Sequence, residues 1–330
     1  MTRRTRPTSP ASTNNHAFAR RVAPLAPLAL SLIMQPGITG STAAKKNVPV
    51  TGDLQVAICD RVEGSDDCHT RFPTGCTSPG STYDPFLNLL KNKTDFPAAV
   101  AVNFATSLDT FTQLDQQFQS KEKQMGETLN DHNHRDFETV FGQLGEGSLQ
   151  GAIGYLEYLV VQKKAPGDGE TCNCKLGNED EVDFHIGIGF DPKVAANVRS
   201  DPNSITHADK QKSIIVEMTP HFRANFQPGW TPDALNQVMG RKVKVVGQLM
   251  ADNDHNLKSQ NCALPNATNL CWRATIWELH PVTKFQVCMA TNNDCDVNSP
   301  DWVDLGGASD ESGATTPVAP KAKKKKAANT

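Results

Sequence analysis

Residues 183–190, Asp183-Phe184-His185-Ile186-Gly187-Ile188-Gly189-Phe190, alternate without a break. Phe184, Ile186, Ile188 and Phe190 fall on one face and Asp183, His185, Gly187 and Gly189 on the other, the period of a β-strand. Upstream, Ser148 to Val161 is apolar and carries Gly151 and Gly154, which suit a long strand that must bend. Downstream, Ser213 to Thr219 reads as a third strand, stopped by Pro220. Thr231 to Met239 reads as a helix, with Thr231 as N-cap, Pro232 at the first helical position and Gly240 beyond the end. Lys242 to Ala251 is a fourth strand. Arg273 to Leu279 is a fifth, running past Pro281 towards Val287. The order β-β-β-α-β-β, with its helix between strands three and four, is the OB arrangement. The expected fold is therefore mainly β: a five-stranded OB-like antiparallel barrel with one inter-strand helix over residues 136–292. A sandwich of the same strands stays open, because sequence does not give strand order.

The 330-residue chain has a net charge of −3, which argues against a strongly basic nucleic-acid coat. Residues 1–52 contain no Asp or Glu. Arg20 and Arg21 precede the apolar run Val22 to Met34 and then small residues, the order of a secretory leader. Residues 1–44 are accordingly expected to be a signal segment and the chain to be exported to the periplasm or outside the cell; organellar import is the alternative. Residues 45–135 read as a small Cys-containing, partly helical region with a helix at Asp84 to Lys91 and a polar linker over 126–136. Residues 293–330 read as a disordered tail, whose Lys321 and Lys323 to Lys326 suit an anionic surface.

Nine cysteines support export: Cys59, Cys68, Cys76, Cys172, Cys174, Cys262, Cys271, Cys288 and Cys295. Cys262 with Cys271, and Cys288 with Cys295, bracket polar loops where disulfides belong. The odd total leaves at least one thiol unpaired or paired between chains. A zinc site at Cys172-Asn173-Cys174 is the weaker alternative, since structural sites space their ligands more widely.

The words Asp183-Phe184-His185, Val216-Glu217, the segment Val243 to His255, and Trp277-Glu278-Leu279-His280-Pro281-Val282 are similar to those of a group of uncharacterised, mostly bacterial exported proteins. That group has a D-x-H strand, a V-E strand and a W-E-[IL]-H-P-V ending. The resemblance covers about residues 145–290. It implies a small OB-like barrel and no particular reaction.

The candidate functional residues sit on or beside these strands: Asp183, His185, Glu217, Asp252, His255, Glu278 and His280. Members of an i, i+2 pair project from one face of a strand, so imidazoles and carboxylates could converge into a site for Zn, Mn or Ni. A divalent metal there would support hydrolysis. The competing expectation is a structural hydrogen-bonded frame, with Glu278 paired to Arg273 or Arg241. Three functions follow: an exported binding or accessory module for an unknown ligand, a metal-dependent hydrolase, and a binder of single-stranded nucleic acid. For the last, Tyr155, Tyr158, Trp272, Trp277 and Arg273 are possible ligand contacts, beside Lys242 and Lys244. Asp131, His132 and His134 form a D-H-x-H group expected to lie in a solvated linker.

Overall fold

The computed structural model describes residues 54, 56–60, 62–97 and 101–307. The elements in chain order are α1 (Ser65–Arg71), α2 (Pro85–Lys91), β1 (Phe104–Ala105), α3 (Asp109–Met125), α4 (Glu138–Gln143), β2 (Leu149–Val161), β3 (Phe184–Gly189), α5 (Pro192–Ser200), α6 (His207–Lys210), β4 (Ile214–Met218), α7 (Pro220–Phe226), α8 (Pro232–Asn236), β5 (Lys242–Ala251), β6 (Trp277–Cys288) and β7 (Trp302–Asp304). The expected leader and the lysines of the tail lie outside the described residues.

The strand order β2-β3-β4-β6-β5 closes through a pairing of β5 back onto β2. Five strands therefore form a closed barrel. It is mixed and not wholly antiparallel as expected: β4 runs parallel to β6, with Val216 opposite Leu279. The parallel pair is forced by topology, since strands three and five enter the barrel from the same end. Two short strands extend the sheet, β1 parallel to β2 and β7 antiparallel to β6. Residues 302–304, read as disordered tail, are thus part of the sheet.

The glycines of the opening stretch make room for a neighbouring strand. A Cβ at Gly187 would stand 2.0 Å from the Tyr158 ring, and one at Gly189 would stand 1.9 Å from the Glu157 carboxylate. The polar face of β3 is in this way free to accept large side chains from β2.

The single inter-strand helix becomes two. Pro220 ends β4 and also begins α7, because a residue without an N–H is suited to the first helical position. Thr231 caps α8 by accepting from the Ala234 N–H. Between β3 and β4 lies α5, whose N-cap Asp191 accepts from the Lys193 N–H. The fifth strand begins only at Trp277; Arg273 to Thr275 form a loop.

Phe184, Ile186, Ile188, Val216, Leu249 and Leu279 share one core with Phe111, Phe118, Phe137 and Phe141 of the helical segment. The edge of Phe141 meets the fully buried Trp277 at 5.7 Å between ring centroids. Burying side chains of this size contributes about 1.5–3 kcal/mol each. α3 and α4 therefore share the core of the barrel strands.

Eight of the nine cysteines pair as Cys59–Cys76, Cys68–Cys174, Cys262–Cys271 and Cys288–Cys295. Cys172 alone stays reduced, and it is buried. Cys174 is committed to Cys68, which removes the zinc reading of the C-x-C pair. Among the described residues no helix is long and apolar enough to cross a membrane.

Candidate functional site

The register of three adjacent strands sets the polar residues side by side. His185 on β3 lies directly opposite Glu217 on β4. The parallel pairing of Val216 with Leu279 then puts Glu217 beside His280 on β6. Asp183 precedes β3, Asp252 follows β5, and Glu278 shares the face of His280. All seven sequence-derived candidates converge at one end of the barrel.

Two chains of contact run through them. His185 Nε2 lies 3.3 Å from Glu217 Oε1, and Glu217 Oε2 lies 3.1 Å from His280 Nδ1. His280 Nδ1 is also 3.1 Å from Glu278 Oε1. The second chain starts at Arg273, which donates to Glu278 at 2.8 Å, to Asp252 at 2.9 Å and to the Thr275 carbonyl at 2.8 Å. Asp252 also holds the ring of His255. Glu278 thus pairs with Arg273; Arg241 instead donates to the Cys288 carbonyl. His255 and Glu278 are anchored in this second chain, away from the point where Asp183, Glu217 and His280 meet.

That meeting point has buried polar atoms without hydrogen-bond partners. The ligand atoms of Asp183, Glu217 and His280 all lie within 4.8 Å of one another. Asp183 Oδ1 and His280 Nε2 are 4.0 Å apart. Both are buried and neither has a hydrogen-bond partner. With Nδ1–H donated to Glu278, Nε2 of His280 is presented towards Asp183, where loss of its proton would free a lone pair for a metal. This is the carboxylate–histidine arrangement that orients an imidazole towards a metal.

Three further residues, which strand patterning does not reveal, complete the cluster. Glu170 and Cys172 come from the loop after β2, and Lys91 from α2. Glu170 Oε1 is 3.4 Å from His185 Nε2, and Cys172 Sγ is 3.4 Å from Glu170 Oε2. Asn173 donates to Asp183 Oδ2 at 2.6 Å. Lys91 Nζ stands 3.8 Å from Asp252 and 3.7 Å from Asp254. The loop is tied down by Cys68–Cys174 and by α2, where Asn88 donates to Thr171 Oγ1 and Asn92 to the Cys172 carbonyl. The odd cysteine count was the one sequence signal for Cys172.

The electrostatics follow from burial and crowding. Burial disfavours the charged imidazole of His185, but Glu217, Glu170 and Asp183 outweigh it and carry its pKa up to about 10. His280 rises to about 10 against the same opposition, through Glu217 and Glu278. Burial likewise opposes ionisation of Glu217, yet His185 and His280 bring it down to about 2. Asp183 is pushed up to about 6 by burial and by Glu170, with His280 pulling the other way. Burial, then Asp183 and Glu170, push the Cys172 thiol well up.

A cleft of about 340 Å³ reaches this cluster, lined by Lys91, Glu170, Cys172, His185, Asp254 and His255 together with loop residues around 168 and 131. Larger clefts include those of about 570 and 500 Å³ beside Phe104 and beside Trp230. Neither contains a comparable set of titratable groups.

The other sequence expectations fall elsewhere. His134 is fully buried and not solvated: its ring bridges Asn253 at 2.7 Å and Glu146 at 3.0 Å. Trp277 and Arg273 are both fully buried, so neither is a surface contact for a ligand. Tyr158 is buried with its hydroxyl on Ser213. Lys242 pairs with Asp294 at 2.7 Å and Lys244 lies over the Trp302 ring at 5.1 Å. The chain matches no protein-family model, no curated protein and no solved structure.

Proposed function

We propose that the chain is an exported protein whose barrel, of the OB-fold type, holds a divalent cation through Asp183, Glu217 and His280 and uses it for hydrolysis in the adjoining cleft. The observation that carries this reading is the buried pair Asp183 Oδ1 and His280 Nε2, 4.0 Å apart and without hydrogen-bond partners. Two carboxylates and one imidazole suit Zn, Mn or Ni, and two acids balance a divalent charge. Export is supported by the acid-free leader and by four disulfides, which persist in oxidising compartments.

When bound, the cation would polarise an ester or phosphoester oxygen, or lower the pKa of a water. The chain's own residues supply the rest. Glu278, held by Arg273, fixes the ring of His280. His185 lies at the cleft side of Glu217, where its imidazolium can donate a proton to a leaving group.

A second reading, a non-catalytic binding module, is favoured by one observation. Arg273, Lys91 and His255 neutralise Asp252 and Glu278 internally, so much of the cluster can stand as a self-supporting frame.

Equilibrium dialysis of the oxidised full chain against Zn²⁺ or Mn²⁺, followed by elemental analysis, separates the two. The metal reading expects at least one equivalent bound, its loss in Asp183→Asn and His280→Ala, and metal-dependent turnover within a panel of chromogenic esters and phosphoesters. Absence of stoichiometric metal would overturn it and leave the frame. Bound metal without turnover would keep the site and remove the hydrolase.

A further inference from the structure

We infer that a second cation site adjoins the first, formed by Glu170, Cys172 and the other oxygen of Asp183, so that Asp183 bridges a two-metal centre. The inference rests on the metal reading above and extends it to residues of the loop after β2.

The two oxygens of Asp183 face different groups. Oδ1 points to His280 Nε2 at 4.0 Å. Oδ2 points to the loop, 3.7 Å from Cys172 Sγ. The ligand atoms of Glu170, Cys172 and Asp183 lie within 4.8 Å of one another, as do those of Asp183, Glu217 and His280. A carboxylate that offers one oxygen to each of two adjacent triads is the usual bridge in centres whose ions stand about 3.5–4 Å apart. His185 closes the other side. Its Nε2 is 3.4 Å from Glu170 of one triad and 3.3 Å from Glu217 of the other. It thus stands over both sites, on the wall of the cleft.

Six carboxylates gather here: Glu170, Asp183, Glu217, Asp252, Asp254 and Glu278. Lys91 and Arg273 are the permanent cations among them. His185, His255 and His280 lie against the same carboxylates and carry part of the remaining charge. Binding at the second site replaces the Cys172 S–H bond by a sulfur–metal bond and releases one proton to solvent. No electron is transferred. Two carboxylates with one thiolate favour Zn²⁺ or Cd²⁺ over Mg²⁺ or Mn²⁺, whereas the first site, without sulfur, tolerates Mn²⁺.

Cys172 is the one reduced cysteine, so a thiolate-to-metal absorption band reports on it alone. The experiment is a Cd²⁺ titration of the oxidised full chain, followed by near-ultraviolet absorbance and by metal stoichiometry. The expected result is two equivalents with the charge-transfer band. Cys172→Ser should keep one equivalent and lose the band, with its circular dichroism and its four disulfides intact. Should Cys172→Ser misfold, protection of the wild-type thiol from alkylation under mild urea serves instead, with Cd²⁺ slowing the reaction and Mg²⁺ leaving it unchanged. One equivalent without the band, or a thiol that Cd²⁺ fails to protect, overturns the second site and leaves the first. No bound Cd²⁺ overturns both.

Discussion

Arg273→Met removes the donor on which the back of the cluster depends. The guanidinium is fully buried and holds Glu278 at 2.8 Å, Asp252 at 2.9 Å and the Thr275 carbonyl at 2.8 Å. Methionine fills similar space and supplies no charge. Breaking a buried ion pair by deleting one partner costs about 3–5 kcal/mol, because the other charge is left uncompensated. Two carboxylates lose their partner here, but Lys91, His255 and His280 still face them, so the expected loss is about 4 kcal/mol. Against a total stability of about 5–15 kcal/mol, that is a large fraction. Urea unfolding at neutral pH with the disulfides intact measures it, and the midpoint should fall while the slope holds. Adding Glu278→Gln should restore more than about 1 kcal/mol, since the amide leaves no stranded charge. The variant should also bind Zn²⁺ about 10–100-fold more weakly, because Glu278 no longer fixes His280. A stability loss below about 1 kcal/mol would refute the view that Arg273 neutralises this region.

A pH effect is expected away from the cation site. Burial pushes the Asp115 carboxyl up to about 7 from 3.8, against the pull of Thr275, Arg273 and the Ile276 backbone. The native state therefore keeps a proton that the unfolded chain has lost, so this contribution is full below about pH 4 and disappears as pH rises through 7. At about 1.4 kcal/mol per pH unit the window amounts to about 4 kcal/mol. Asp115→Asn should match the wild type near pH 4 and exceed it increasingly up to about pH 8; a constant gap across that range would sink the explanation. Replacing Cys68 and Cys174 together by serine opens a crosslink spanning 106 residues. It should cost about 4–5 kcal/mol by loop-closure entropy and speed amide exchange over residues 166–178. Exchange that rises equally throughout β3 and β6 would show that the bridge does not specifically hold the loop.

The barrel was legible because its strands carry short-range signals. The alternation from Phe184 to Ile188, the run Lys242 to Ala251 and the proline-capped α8 each report on themselves. The same holds for the acids and histidines on those strands, since strand periodicity fixes which face they share. Two features escaped for different reasons. The α5 helix carries its signal in Asp191 and Pro192, an N-cap followed by proline at the first helical position, directly after a strand. Lys91, Glu170 and Cys172 reach the cluster through contacts distant in sequence, and nothing local to a loop or a short helix announces such a destination. His134 looked solvated because its neighbours are polar; its burial depends on Glu146 and on Asn253, 119 residues away. The parallel pairing of β4 with β6 is likewise a property of closure and leaves no trace in either strand.

The Cys68–Cys174 bridge makes a covalent ring of the chain between those residues, and α2, α3, α4 and β2 all lie within it. A single proteolytic cut anywhere in that ring leaves one molecule, since both new ends stay joined through the sulfurs. Nicked protein would migrate as an intact chain on a non-reducing gel and as two fragments after reduction. In surroundings rich in proteases, damage to the helical segment would therefore not detach the loop that carries Glu170 and Cys172 from the barrel.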